Sequence, residues 1–250
     1  MQSLFAGDQP ATVLVAGGSR GIGRALVEAL LQRQDIGRIY VLARHWSEPA
    51  GDPREQRLCV DLTDPQVLHG LGEQLRAECL RLDLLINCVG LLHEPDGLQP
   101  EKRLADVQLD WLLQSFTVNA AVPLLLAREL LPLLRGRHLC RFASLSARVG
   151  SIGDNRLGGW YAYRAAKAAQ NMLLRTFAIE WARLNPNGCC LLLHPGTTDT
   201  GLSAPFQANV PEGRLFAPAF VAERLLQVIA GHGPADSGNF YAWDGQPIPW

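Results

Sequence analysis

An α/β fold with a doubly wound parallel sheet, in one domain spanning residues 1–250, is what this sequence predicts, on three observations. Short apolar runs rich in β-branched residues alternate with helix-period segments along the whole chain. The first run stops at a glycine cluster that opens a helix, and neither a linker nor an internal repeat divides the rest of the chain. Runs that are apolar on both faces suit strands covered on two sides, joined by right-handed crossovers.

Taken in order, TVLVA (12–16) reads as a strand, and GIGRALVEALLQRQ reads as a helix with Ile22, Leu26, Ala29 and Leu30 on one stripe. RIYVLA (38–43) and RLCV (57–60) are the next strands, PQVLHGLGEQLRAECL is a helix, and LDLLINCVG is a strand meeting a turn. A long helix is predicted around FTVNAAVPLLLARELLPLL, then a strand at HLCRFAS. A helix running to about Leu184 carries GGWYAYRAAKAA (158–169). CCLLLHPG is a strand, a last helix begins near Pro218, and GNFYAWDG ends the sheet.

Bulk properties narrow the function. A net charge of −1 with no basic run leaves no track for a nucleic acid, so a small-molecule ligand is expected. The stretch MQSLFAGDQP lacks a basic region followed by a long apolar core, and AAVPLLLARELLPLL is interrupted by Arg128 and Glu129. A soluble, cytoplasmic protein is the expectation. The six cysteines form no CxxC pair and read as small core residues of a reducing compartment, and the six dispersed histidines give no reason to expect a metal.

Two tyrosines and a lysine crowd GGWYAYRAAKAA. Tyr163 has Lys167 at i+4, on the same helical face, whereas Tyr161 has Ala165 there. Only two of the 23 basic residues are lysines, which makes this one conspicuous. An adjacent ammonium biases a phenol towards phenolate, below its ordinary pKa of about 10. In AGGSRGIG, Gly17, Gly21 and Gly23 stand between a strand and a helix, where they permit a tight turn, close backbone approach to a pyrophosphate, and N–H groups aimed at its oxygens. Pro123 has no N–H for the carbonyl of Asn119, so a kink and a free acceptor are predicted at that point of the long helix.

These segments together resemble the short-chain dehydrogenase/reductase family in its compact form, a Rossmann-type fold. The resemblance runs over nearly the whole chain: AGGSRGIG, Asp61 in CVDLTD, NCVG (87–90), Asn119, YRAAK (163–167) and HPGTTDT (194–200). LSARVGSIGDN followed by GGWYAYRAAKAA is most similar to the C-factor and sniffer group of carbonyl reductases. The resemblance implies that Gly17, Ser19, Arg20, Gly21, Ile22 and Gly23 hold the cofactor's phosphates, and that Asp61 and Leu62 contact its adenine. It implies too that Asn87, Cys88, Val89 and Gly90 line its trough, that Pro195, Gly196, Thr198 and Thr200 pass beside the nicotinamide, and that Tyr163 and Lys167 touch both substrate and cofactor.

NADP(H) is favoured over NAD(H). The second strand ends in Ala43–Arg44 where an acid would suit the ribose hydroxyls of NAD, and Arg20 sits in the glycine turn; two guanidiniums can bind a 2′-phosphate. The expected reaction is reduction of an aldehyde or ketone, with Tyr163 as general acid or base and Lys167 lowering its pKa. In the family Lys167 also holds the nicotinamide ribose, and Asn119 belongs to a water relay. The family's substrate-binding serine falls here on Ala147, which cannot donate a hydrogen bond, so Ser146 is favoured, with Ser144 and Ser151 as alternatives. The segments 91–100 and 200–216 are expected to close the substrate pocket, with Trp160 and Asn155 as possible contributors. A homodimer or homotetramer is expected from the family. The competing reading is a catalytically weakened protein that keeps a dinucleotide pocket for signalling or regulation.

Overall fold

The computed structural model describes residues 4–5, 9–46, 48–95 and 97–250; Ser47 and Asp96, and residues 1–3 and 6–8, lie outside that description. The chain alternates strand and helix: β1 (Ala11–Ala16), α1 (Gly21–Leu31), β2 (Ile36–Ala43), β3 (Glu55–Cys59), α2 (Pro65–Glu78) and β4 (Leu84–Asn87). Then come α3 (Leu109–Phe116), α4 (Val122–Leu134), β5 (Cys140–Leu145), α5 (Tyr161–Leu184) and β6 (Gly188–His194). Two short strands, β7 (Thr197–Thr198) and β8 (Leu215–Phe216), form a small separate pair before α6 (Pro218–Gly231) and β9 (Asn239–Ala242).

Seven strands build one sheet in the order β3-β2-β1-β4-β5-β6-β9, every neighbouring pair parallel. The order reverses between β1 and β4, and in open sheets of this kind a crevice forms outside the carboxyl ends of the strands at that point. Side-chain alternation explains the doubly apolar runs. Leu14 and Ala16 of β1 join one core with α2, α4 and α5, while Val13 and Val15 join the other with α1 and α6. Cys190 and Leu192 of β6 face the first core, and Cys189, Leu191 and Leu193 the second. Cys140, Cys189 and Cys190 are buried as expected of small core residues, but Cys59 is exposed at the end of β3; all six cysteines are free thiols.

Between α3 and α4 the backbone makes a π-helical turn, Thr117–Ala121, in which the N–H of Val122 reaches back five residues to the carbonyl of Thr117. Pro123 follows at once, so the predicted irregularity takes the form of a widened turn within continuous helix. The combined stretch Leu109–Leu134 is long and apolar enough to cross a bilayer by length and composition. Here Val122, Leu126, Leu130 and Leu134 are sealed in the core, which makes it a core helix. The last carbonyl of α4 is satisfied from α5: Leu134 accepts from Trp181 Nε1 at 3.1 Å and from Asn185 Nδ2 at 2.9 Å. These bonds lock the helix that carries Tyr163 and Lys167 to its neighbour.

Candidate active site

Because the strands are parallel, the segments leaving β1, β2, β3, β4, β5 and β6 all emerge on one edge of the sheet, and the site residues lie on those segments. After β1 the chain turns through Gly17 at φ 78° and Gly21 at φ 56°. A Cβ on Gly17 would come within 3.1 Å of the Cys88–Val89 backbone, and one on Gly23 within 2.2 Å of the Gly17 carbonyl oxygen. The turn therefore tolerates no side chain at either place. Helix α1 begins there with no side chain capping its first N–H groups, which leaves donors and the positive helix end for an anion. Ser19 and Arg20 are exposed at the rim, whereas Ile22 packs against the core beneath.

A cavity of about 620 Å³ adjoins this turn, lined among others by Ser19, Arg24, His45, Trp46, Glu55 and Arg57. Glu55, its carboxylate almost wholly buried, pairs with Arg24 at 2.8 Å and Arg57 at 2.7 Å. Its negative charge is thereby offset twice. Arg57 also lies over the Trp46 ring, 4.8 Å from the centroid. Neither Arg20 nor Arg44, both exposed, makes a side-chain hydrogen bond or ion pair within the described residues. Asp61, at the exit of β3, accepts from the hydroxyl of Thr63 at 2.7 Å and its N–H at 2.9 Å, and these bonds, helped by the charge of Arg44, hold its carboxyl below the usual range. Leu62 beside it is buried.

The exit of β4 runs beside the glycine turn, the π turn and α5. Asn87 is fully buried, donating to Ser144 Oγ at 3.0 Å and accepting from the N–H of Val89 at 3.3 Å. Burial pushes the Cys88 thiol up to about 12. Gly90 lies against both the π turn and α5, since a Cβ there would stand 3.4 Å from Asn119 Oδ1 and 3.9 Å from Lys167 Nζ. Asn119 acts through its side chain: Oδ1 accepts the N–H of Leu91 at 2.9 Å, and Nδ2 donates to the carbonyl of Leu91 at 2.7 Å and to that of Ser115 at 3.0 Å. The sequence argument concerned only its carbonyl. The two-sided grip on Leu91 follows from the tertiary approach of β4's exit to the π turn.

On α5, Tyr163 is 9% exposed and Tyr161 40%, which separates the two tyrosines. Lys167 Nζ lies 5.7 Å from the centre of the Tyr163 ring and donates to the Leu145 carbonyl at 2.8 Å and to Gln170 Oε1 at 2.9 Å. Gln170, which sequence reasoning missed, also donates to Ser144 Oγ at 2.8 Å. Its position three residues after Lys167, on the same helical face, was the available signal. The expected depression of the Tyr163 pKa is absent from the protein by itself: burial pushes the phenol above its ordinary value and pushes the Lys167 ammonium down to about 7. Desolvation sets the direction for the phenol, and for the lysine it outweighs the charge of Cys88.

The serines are arranged less simply. Ser146 is buried, and its hydroxyl donates to Asn171 Oδ1 at 2.6 Å. Ser144 is occupied by Asn87 and Gln170, and Ser151 accepts from the N–H of Asp154. Ala147, half-buried, stands at the start of a short 3-10 turn. After β6, Gly196 takes φ 75° against Phe216 and Trp243, Thr198 is buried, and the Thr200 methyl lies 3.2 Å from where a Cβ on Gly21 would be. The chain from Pro195 to Thr200 thus arches over the glycine turn. The two segments expected to close the pocket do meet, His93 Nε2 lying 3.2 Å from the Gly201 carbonyl oxygen. Asn155 instead accepts from the N–H of Gly158 in its own loop. No cluster of three metal-ligating side chains occurs among the described residues.

Residues 11–211 match the short chain dehydrogenase family. The chain belongs to the short-chain dehydrogenase/reductase family. A short-chain dehydrogenase/reductase is an NAD(P)-dependent oxidoreductase, and the side-chain-free glycine turn and the uncapped start of α1 fit such a dinucleotide. Among relatives, the C-signal of Myxococcus xanthus is 38% identical over 170 residues, covering 68% of this chain and 93% of its own. The 1-hydroxy-2-glutathionyl-2-methyl-3-butene dehydrogenase of Rhodococcus sp. (strain AD45) is 29% identical over 241 residues, covering 96% and 99%. The NADPH-bound carbonyl reductase from chicken fatty liver has the same fold, with a TM-score of 0.84 at 24% identity over 97% of this chain and 95% of that one.

The burial of Lys167 has a measurable consequence. Unfolded, this lysine holds its proton up to its ordinary pKa of 10.5; folded, only up to about 7. At this site the unfolded state then binds more protons between those values, so the lysine's own contribution makes stability rise with pH across that window. His194, held down to about 4 by burial, has largely finished titrating above pH 7, whereas the buried cysteines, whose thiols regain their ordinary pKa of 9.0 on unfolding, oppose the rise above about pH 8. Urea unfolding without nucleotide is expected to show stability climbing between pH 7 and about 8, by less than about 1.4 kcal/mol per pH unit, and Lys167→Met is expected to flatten that slope.

Proposed function

We propose that this protein is an NADP(H)-dependent reductase of an aldehyde or ketone, working on small molecules in the cytoplasm. The observation that carries this reading is the burial of Tyr163 and Lys167 on one face of α5, with Lys167 Nζ within 3.9 Å of a Cβ position on Gly90 at the exit of β4. The exposed, uncommitted guanidiniums of Arg20 and Arg44, with Glu55 neutralised by two other arginines, support a 2′-phosphate at the ribose end. Gly17, Ser19, Gly21, Ile22 and Gly23 would hold the pyrophosphate. Asp61 and Leu62 would border the adenine, and Asn87, Cys88, Val89 and Gly90 the floor. Pro195, Gly196, Thr198 and Thr200 would cover the nicotinamide end.

When bound, the reduced nicotinamide supplies a hydride to the carbonyl carbon. The chain's own work is at the oxygen. Tyr163, kept protonated by burial, gives its proton to that oxygen as negative charge develops, and in the reverse direction its phenolate takes one from the alcohol. Lys167 would hold the nicotinamide ribose, and as an ammonium it would draw Tyr163 towards phenolate. Asn119 keeps Leu91, and so Gly90, in place.

For the oxyanion donor Ser146 is preferred. Asn171 Nδ2 has no partner among the described residues; exchanging the amide's O and N pairs Nδ2 with Ser146 Oγ and frees the serine proton for substrate. A second reading, a dinucleotide-binding regulatory protein with weakened catalysis, is favoured by Ala147 and by the inward bond of Ser146. Assembly as a homodimer or homotetramer is supported by exposed Leu109, Leu113 and Phe116 on α3 and Met172 and Ile179 on the adjoining α5.

Fluorescence titration followed by an aldehyde, ketone and quinone panel tests the reading: NADPH is expected to bind more tightly than NADH, with turnover, whereas tight binding without turnover on any carbonyl supports the regulatory alternative. Tyr163→Phe is expected to lower kcat at least a hundredfold with NADPH affinity unchanged. Replacing Arg20 and Arg44 together with alanine is expected to weaken NADPH binding at least tenfold while sparing NADH; equal losses would remove the 2′-phosphate assignment. Light scattering at micromolar concentration is expected to give the mass of a dimer or tetramer, and a monomer would remove that proposal.

A further inference from the structure

Three residues in a row before α5 lie in the left-handed region: Gly158 at φ 65°, Gly159 at φ 67° and Trp160 at φ 52°. Trp160 is the one non-glycine residue with such a φ among the described residues. Glycine takes this conformation freely, whereas the Cβ of any other residue crowds the following carbonyl. After two glycines, a third would serve the backbone without strain. The chain instead holds an indole there, and strain kept against an easy alternative points to a task for the side chain.

The conformation is held from a distant segment. The carbonyl of Glu101 accepts the Trp160 N–H at 2.5 Å, and its carboxylate, in a residue 2% exposed, accepts the Ala162 N–H at 3.2 and 3.3 Å. Arg164 adds a bond from Nε to the Gly159 carbonyl at 2.9 Å. So held, the indole meets the Tyr163 ring edge to face at 6.3 Å and the Phe206 ring at 5.1 Å, and His93 stands edge-on to Phe206 at 5.7 Å. All three of Trp160, Phe206 and His93 are half-buried, so the row of rings leading out from Tyr163 keeps surface open. Glu101 and Lys167 are buried and committed to internal hydrogen bonds, so this wall offers ring faces and edges in place of charge.

We propose that Trp160 is a specificity-determining residue, its indole forming, with Phe206 and His93, the wall on which a flat, conjugated carbonyl compound lies with its oxygen at Tyr163. Aryl aldehydes, aryl ketones and quinones are the class that such edge-to-face surfaces favour. Glu101 is a positioning residue that aims the indole. The substrate class rests on the reductase reading above; the wall itself can be tested without turnover.

The test compares benzaldehyde with hexanal as substrates, and, with NADP⁺ present, benzyl alcohol with hexan-1-ol as calorimetric ligands. Wild type is expected to prefer the aromatic compound in both. Trp160→Gly, which relieves the backbone, is expected to fold and bind NADPH as wild type does while the benzaldehyde-to-hexanal ratio of kcat/KM falls at least tenfold, mainly through KM. Trp160→Phe is expected to restore part of that ratio. Glu101→Ala is expected to lose it, and Glu101→Gln, which keeps an acceptor for the Ala162 N–H, to recover it. A ratio within twofold of wild type in Trp160→Gly, or no aromatic preference in wild-type binding, overturns the proposal. If wild type turns over neither aldehyde but binds benzyl alcohol preferentially, and Trp160→Gly removes that preference, the wall stands and the reductase reading falls.

Discussion

Parallel pairing of all seven strands is the constraint on which the rest depends. A parallel sheet sends every strand's carboxyl end to one edge, so segments far apart in sequence are forced to share a crevice. The glycine turn after β1, the segment after β4 and the arch after β6 need no other cause to be neighbours. Right-handed crossovers then put α1 on one face and α5 on the other, which brings an uncapped helix start and the Tyr163–Lys167 pair to the same opening.

Burial is the second organising force, and it acts against charge. Lys167 is 2% exposed, with two acceptors arranged around it through Gln170 and the last carbonyl of β5. That network, continued through Ser144 to Asn87, ties α5 to two strands at once. It holds the Lys167 nitrogen in a fixed place despite the cost of burying it. In the protein by itself Tyr163 is a neutral phenol, the form an acid needs at neutral pH.

Much of this was legible in the sequence because it depends on local rules. Short doubly apolar runs and helical patterns located the strands and helices of the main sheet, and the i+4 offset separated Tyr163 from Tyr161. Pro123 announced a backbone irregularity beside Asn119. What stayed hidden needed approach between distant segments. Asn119 grips Leu91 across 28 residues, Glu101 caps α5 across 61, and Ser146 turns to Asn171 across 25. The short β7–β8 pair escaped for another reason: two residues per strand are too few to show a period.

By itself, then, the sequence determined the alternation of elements, the doubly apolar strands, the glycine turn and the residue types at the crevice, because each follows from backbone sterics or from spacing within a single element. Only the tertiary structure decided which charges are uncommitted at the ribose end, which way the pKa values of Tyr163 and Lys167 move, and where the indole of Trp160 points. Those properties depend on desolvation and on hydrogen bonds between remote segments, and neither has a signature in local order along the chain.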